Sequence, residues 1–323
     1  MYSSTNYMDS VTVDKLQGKY GSDFIRLISP WTFSTQSPVM GRSRGMILIG
    51  GGAATADRWI FNYNRPCAKL QAASTSGFDK LAAHGAGHIF IEGIDRAYNR
   101  VFENIELTGS NSSAETVYAY RSVNRALVSG YGEDWDLITS YPNIGVIDIG
   151  TGTNTSGSLQ TVYASIDAGL ANAYPRQYTL HNKETVYINC INSTVSNNAS
   201  GIWSMWVSTI DGGYQDRGTQ VFYSMPTRVC SVAFNNGEAN MYFDEPYEVH
   251  PKSTIYFTLD DVDKTSKINI FTQGFSIDES IEQDYKNRRK GKRVDNHERL
   301  RRTMTKRLTK PKFYLQKKNL NRQ

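Results

Sequence analysis

Cysteine is scarce in this 323-residue chain: Cys67, Cys190 and Cys230 stand far apart. That number and spacing fit reduced, buried thiols of a cytoplasmic setting better than a disulfide framework, and no pair has metal-ligand spacing. No segment approaches the roughly 18 uninterrupted apolar residues that a membrane-spanning helix needs, and no membrane partner is expected. The first residues, Met1-Tyr2-Ser3-Ser4-Thr5-Asn6-Tyr7, have neither a basic nor an apolar region, so no signal peptide is expected. Without such a signal, the Asn-x-Ser/Thr sequences at Asn111, Asn192 and Asn198 read as chance.

Catalytic signatures are missing as well. Gly50-Gly51-Gly52 has no Gly-Lys-Ser/Thr after it, and Asp57-Arg58-Trp59-Ile60 reads as strand where a phosphate loop needs a helix, so a glycine turn is expected. His84 and His88 are four apart, as helical metal pairs are, but Gly85-Ala86-Gly87 between them makes a poor helix and loop histidines are expected. Asp260, Asp261 and Asp263, and likewise Asp134 and Asp136, lack the Gly and distal Glu of a calcium loop and read as turn acids. No Gly-x-Ser-x-Gly elbow occurs. The expectation is a protein with no catalytic centre, no metal and no cofactor.

What the chain has is β-forming residues and segregated charge. Twenty Tyr and 26 Gly, with Thr, Val and Ile set between Ser/Asn/Gly clusters, indicate an all-β body. Period-two runs fall at 185–191, 202–210, 219–225, 228–234, 240–243, 253–259 and 267–276, the spacing of an antiparallel, jelly-roll-like sandwich. An earlier set falls at 45–49, 58–61, 88–92, 101–107, 119–128 and 144–149. Between them Gly150-Thr151-Gly152-Thr153-Asn154-Thr155-Ser156-Gly157 has linker composition. Two β-sandwich domains are therefore expected, over 1–152 and 158–278, followed by a basic helical-to-extended arm over 279–323.

The arm is the strongest charge signal. Residues 286–323 hold sixteen Lys and Arg against Asp295 and Glu298, a charge of +14, and since the chain totals +5 the rest carries −9. Leu300, Met304 and Leu308 recur at i, i+4 and i+8, and the pairs Asp295/Arg299 and Glu298/Arg302 have the acid-first order that supports a helix. Pro311 then ends it before the apolar strip Phe313-Tyr314-Leu315. A purely electrostatic tail does not need these apolar anchors, whereas docking into a protein groove does. The expected contact residues are Leu300, Met304, Leu308, Phe313, Tyr314 and Leu315, with Arg288, Arg289, Lys290, Arg301 and Arg302 supplying charge.

Two stretches carry a family resemblance. Gly87-His88-Ile89-Phe90-Ile91-Glu92-Gly93-Ile94-Asp95-Arg96-Ala97-Tyr98-Asn99 continues through Glu103-Asn104-Ile105-Glu106-Leu107-Thr108-Gly109 to Val123-Asn124-Arg125-Ala126. With Tyr178-Thr179-Leu180-His181-Asn182-Lys183-Glu184-Thr185-Val186-Tyr187-Ile188, it resembles uncharacterised virion structural proteins of tailed, especially marine, bacteriophages. In the second stretch His181-Asn182 replaces that family's usual Pro-Ala, and Lys183-Glu184 its Gly-Lys, so a different turn is expected. The arm has no counterpart there. In the first stretch Gly93 and Asp95 suit a turn between strands, and Asn99 suits a left-handed residue or an Asx-turn.

The resemblance implies a structural component of the virion, assembled in the host cytoplasm as an accessory head, neck or tail protein. Its expected partners are copies of itself and other virion proteins. An alternative is a carbohydrate-binding module with Trp203 or Trp206 stacking on sugars, and a third is contact of the arm with packaged DNA. Trp203 and Trp206 have opposite strand parity, so at most one of them is expected to face a core.

Overall fold

The computed structural model describes residues 28–37, 43–48, 67–135, 141–153, 159–173, 175, 177–208, 226–235 and 237–279. The chain divides into two units, Met1–Asp278 and Glu279–Gln323. The strands and cores belong to the first. The expected arm and its eleven contact residues, from Arg288 to Leu315, lie outside the described residues, as do the strands expected at 58–61 and 219–225 and the Gly50–Gly52 turn.

The described regular structure is antiparallel β throughout, apart from a short 3-10 turn at Ser196–Asn198. In chain order the strands are β1 (Ile28–Gln36), β2 (Ser43–Leu48), β3 (Ala68–Lys69), β4 (Gln71–Ser74), β5 (Ala86–Asp95), β6 (Arg100–Glu106), β7 (Ala119–Tyr131) and β8 (Ile147–Thr153). They continue with β9 (Leu159–Ile166), β10 (Gln177–Thr179), β11 (Glu184–Val195), β12 (Gly201–Ser208), β13 (Thr227–Phe234), β14 (Glu238–Val249), β15 (Thr254–Val262) and β16 (Ile268–Asp278).

Among the described residues four sheets form, with orders β1-β16-β11-β14, β10-β15-β12-β13, β3-β7-β5-β6 and β4-β8-β9. β2 joins the second by pairing with β15 further along the edge that β10 occupies. Side-chain alternation explains the pairing. In β1, Trp31, Phe33 and Thr35 turn inward while Thr32 and Ser34 face out. In β16, Ile268, Ile270 and Thr272 are inward and Asn269 and Phe271 outward. β15 lies between neighbours on both edges and has six consecutive buried residues, Thr254 to Leu259.

Two hydrophobic cores result. The first joins Trp31 and Phe33 of β1 with Ile188 and Ile191 of β11, Trp203 and Met205 of β12, Phe257 of β15 and Ile270 of β16. The second joins Ile89 and Ile91 of β5, Tyr120 and Val123 of β7, Ile147 and Ile149 of β8, and Ala164 and Ile166 of β9. Glycine lets strands approach at two register shifts. A Cβ on Gly274 would overlap the Tyr187 carbonyl oxygen where β11 bulges at Asn189, and one on Gly93 would overlap the Ser122 carbonyl oxygen where β5 shifts against β7. Pro246 lies inside β14; as an edge strand in an irregular stretch opposite Asn189, β14 tolerates the missing donor.

The expected linker is corrected. Residues 150–153 continue β8, which pairs with β9 as far as Thr153 opposite Leu159, so the boundary drawn between 152 and 158 falls inside a hairpin. Gly, Thr and Ser serve an exposed linker and a tight hairpin equally well, so composition does not separate the two. The chain is partitioned by core instead. β1 and β2 belong with the C-terminal strands, whereas β8 and β9 share the second core with β5 and β7. The three cysteines are unpaired. Burial raises all three thiols, that of Cys230 to about 11.

Candidate functional site

The two stretches that carry the resemblance meet in space. Asp95 organises the turn between β5 and β6, its Oδ1 accepting the Ala97 and Asn99 amides, each at 2.8 Å. Asn99 Nδ2 returns to Asp95 Oδ2 at 3.1 Å. The left-handed residue is Tyr98, φ 61°, so of the two roles expected for Asn99 the left-handed one falls to its neighbour. Asn99 is drawn into the carboxylate network, and the buried Tyr98 ring is held under the Arg121 guanidinium at 4.6 Å, which fixes the costlier conformation.

This turn grips the second stretch directly. Asn182 donates its backbone N–H to the Tyr98 carbonyl at 2.9 Å and its side-chain amide to Asn99 Oδ1 at 3.2 Å. One strand away, Asn124 brackets Thr179, donating to its carbonyl at 2.8 Å and accepting its N–H at 3.0 Å. The substituted His181-Asn182 pair therefore forms the joint between the two cores' elements.

A charged cluster lies behind the joint. Glu184, 3% exposed, accepts from the Tyr178 hydroxyl at 3.3 Å and faces Arg100 Nη2 at 3.8 Å. Arg100 Nε also meets Glu92 at 3.2 Å. Burial pushes the Glu184 carboxyl above the usual carboxylate range, opposed by Arg100. His181 Nδ1 accepts the Lys183 amide at 3.3 Å, so neutral His181 carries its proton on Nε2, which faces Asp278 at 3.5 Å and Glu184 at 3.9 Å. Burial lowers its imidazole below the ordinary value, against the pull of Asp278. The cluster is a satisfied structural network; none of its groups is posed as a nucleophile beside a base.

A second site lies on the loops of the β4–β9 region. Asp79, fully buried, accepts from Ser74 Oγ at 2.6 Å and from the amides of Ala86, Ile144 and Gly145 at 2.8–3.0 Å. Asn143, also fully buried, donates to the carbonyls of Gly145 at 2.7 Å and Asp167 at 2.9 Å. These staples hold three segments side by side and present aromatics to solvent. Tyr131 stacks on Trp135 with centroids 4.1 Å apart, and Trp135 Nε1 donates to the Tyr141 carbonyl at 3.3 Å. A Cβ built on Gly169 would stand 3.7 Å from the Tyr141 ring, so the backbone of the turn that carries Leu170 passes beside it. Tyr141 is 69% exposed, Tyr131 40% and Leu170 38%. Glu133 and Asp134, both exposed, occupy the turn that Trp135 closes on the Gly132 carbonyl. Sequence reading missed this surface, because Asp79's donors lie 5, 7, 65 and 66 residues away.

The remaining sequence candidates fall elsewhere. Trp203 is fully buried with Nε1 donating to Ser193 Oγ at 3.0 Å, so it is withdrawn as a sugar platform. Trp206 faces the other side, its Nε1 on Thr258 Oγ1 at 2.8 Å and Arg228 over its ring at 5.6 Å. His88 is on β5 and His84 in a loop against Phe78, centroids 4.8 Å apart, so the two are not a helical pair. Asp260 accepts from Ser204 and Thr258, and Asp263 caps the Ser200 amide at 2.8 Å. Among the described residues no three His, Cys, Asp or Glu side chains converge as metal ligands, and no helix is long and apolar enough to cross a membrane.

No protein-family model matches the chain, and no curated protein matches it. Among solved structures, a chain from the structure of infectious bursal disease virus Gx strain is similar over 78% of this chain and 72% of that one. The identity is 10% and the TM-score 0.17, so this likeness carries no argument about fold or role.

Proposed function

We propose that the chain is a structural component of a tailed-phage virion, an accessory protein of head, neck or tail, built on a jelly roll interrupted by a second β-sandwich. The observation that carries the reading is strand order. Numbered one to eight in sequence, β1, β2, β11, β12, β13, β14, β15 and β16 lie as 1-8-3-6 in one sheet and 2-7-4-5 in the other. This is a long hairpin rolled up, with 1·8, 2·7, 3·6 and 4·5 as antiparallel neighbours, and it supports the jelly-roll reading. The insertion, roughly residues 67–175, falls between the second and third strands and brings its own core.

Jelly rolls serve capsid shells and lectins alike, and a fold does not fix a function. Two features favour assembly. The resemblance stretches form the joint between insertion and jelly roll, which is a scaffold feature. The insertion also displays stapled aromatic turns, the rigid, exposed apolar surface that a protein contact uses. In this reading the protein has no catalytic step. It assembles as a multimer in the host cytoplasm, and its basic arm docks on a neighbouring virion protein rather than on packaged DNA.

The test is electron microscopy of purified particles carrying a gold-labelled tag in the exposed Ser110–Asn111 turn, away from the aromatic turns. Label at symmetry-related positions on intact particles is the expected result. A protein present in infected-cell lysate but missing from purified particles would overturn the reading.

A further inference from the structure

We propose that the aromatic turn surface of the insertion, formed by Tyr131, Trp135, Tyr141 and Leu170 with Glu133 and Asp134 at its rim, receives the basic arm of a neighbouring copy. This rests on the reading that the arm docks on protein, and it names the surface. Three observations converge. The surface is apolar, contiguous and open, with Tyr141 the most exposed of its rings at 69%.

The segments that bear its aromatics carry charge of one sign, and the neighbouring 78–85 loop, whose carbonyls accept the Gly132, Glu133 and Asp134 amides, adds the exposed Lys80 and His84. The segments 131–135, 141–143 and 167–170 contain Glu133, Asp134 and Asp167 and no Lys, Arg or His. Asp167 already meets Lys267 at 2.9 Å, which leaves Glu133 and Asp134 to greet a cation. The arm is the complement: +14 over residues 286–323, with Phe313-Tyr314-Leu315 set between Lys310, Lys312 and Lys317. An apolar centre with a charged rim suits a peptide that alternates aromatics and lysines.

Length permits the contact. The 44 residues after Glu279 can span on the order of 150 Å when extended, beyond the diameter of a body of this size. The fixed geometry of the surface also keeps the ordering cost on the peptide side alone. Asp79 and Asn143 hold the 143–145 and 167 segments from within, and the Gly132, Glu133 and Asp134 amides are tied to the Gly85, Leu81 and Ala83 carbonyls, so little of the receiving side has to be arranged on binding.

The experiment uses the full chain with a photo-crosslinking phenylalanine analogue in place of Tyr141, in an equal mixture of light and heavy-isotope protein. The expected product joins position 141 of one isotope to the peptide containing Phe313–Leu315 of the other. In parallel, Glu133→Lys with Asp134→Lys should weaken self-association at least tenfold, and Tyr141→Ser several-fold, with unchanged far-UV circular dichroism. Phe313, Tyr314 and Leu315→Ser should weaken it at least as much.

Crosslinks only within one isotope would place the arm on its own body and overturn the neighbouring-copy assignment. Crosslinks to other residues, with assembly still lost in the arm variant, would overturn this surface and leave the arm's protein docking standing. An arm variant that assembles normally would overturn both. Glycan-array binding that is abolished by Tyr141→Ser, with assembly unaffected, would overturn the proposal in favour of a sugar site.

Discussion

The two cores of this body are built by opposite strategies. The eight-strand core is closed by distance: β1 pairs along its whole length with β16, and Ser37 Oγ accepts the Ile268 amide across 231 residues. The core of β4–β9 closes locally but leans on buried polar side chains. Asp79, Asn143, Ser113 and Thr116 each satisfy backbone amides or carbonyls that would otherwise end unpaired. The first strategy gives a cooperative shell whose stability scales with apolar area. The second gives loops fixed well enough to present Tyr131 and Tyr141 outward, with stability concentrated in a few bonds that cannot be lost singly.

The largest effect that sharpens this contrast is Trp203→Ala. The side chain is fully buried and edge-on to Phe257 at 5.8 Å, so its removal should cost about 3–5 kcal/mol. Chemical denaturation monitored on the eight-strand core checks it, and a loss below 1 kcal/mol would contradict the packing. Next comes Asp79→Asn, which loses the anionic acceptor and turns an amide N–H toward backbone donors. It should cost on the order of 3 kcal/mol, felt in exchange of the Ala86, Ile144 and Gly145 amides while β1 and β16 remain protected.

For the arm, replacing Phe313, Tyr314 and Leu315 with Ser should harm assembly at least as much as neutralising three basic residues. A buried aromatic contributes about 1.5–3 kcal/mol and an exposed ion pair about 0–1. A steep salt dependence with retained nucleic acid would reverse that ranking and point to DNA.

The smallest effect is pH dependence at the joint. The folded His181 imidazole lies below its ordinary value, so its contribution is full above about pH 6.5 and is lost as pH falls through that range. Glu184 is raised, so its contribution is full below the usual carboxylate value and is lost as pH rises through the folded one. His181→Gln should therefore lose less stability than the wild type between pH 7.5 and 5.5. Urea midpoints at the two pH values check it, and equal losses would show that His181 does not titrate in this window.

Much of the architecture was legible because alternation is a local signal. β11, β12, β13, β15 and β16 all overlap runs read from parity alone, and the opposite faces of Trp203 and Trp206 follow from the same rule. What stayed hidden was closure. Nothing in Trp31-Thr32-Phe33 says that its partner is Thr272-Gln273-Gly274, and the Gly/Thr/Ser run at 150–157 is as good a hairpin as a linker. The joint was half legible: Gly93 and Asp95 announced a turn, but its left-handed residue is Tyr98, a choice made by Asp95 and Arg121 together. Asp79 was invisible because one acid among 31 looks like any other until its donors arrive from three loops.

Everything in this architecture depends on β1 belonging with the C-terminal strands, so that the body closes around residues 67–175. Native-state hydrogen exchange on the full chain under graded denaturant tests it most directly. The account predicts that amides of 28–36 open together with those of 268–278 and at a different free energy from those of 86–95 and 119–131. Opening of 28–36 in step with 86–131, leaving 184–278 as a separate unit, would contradict it.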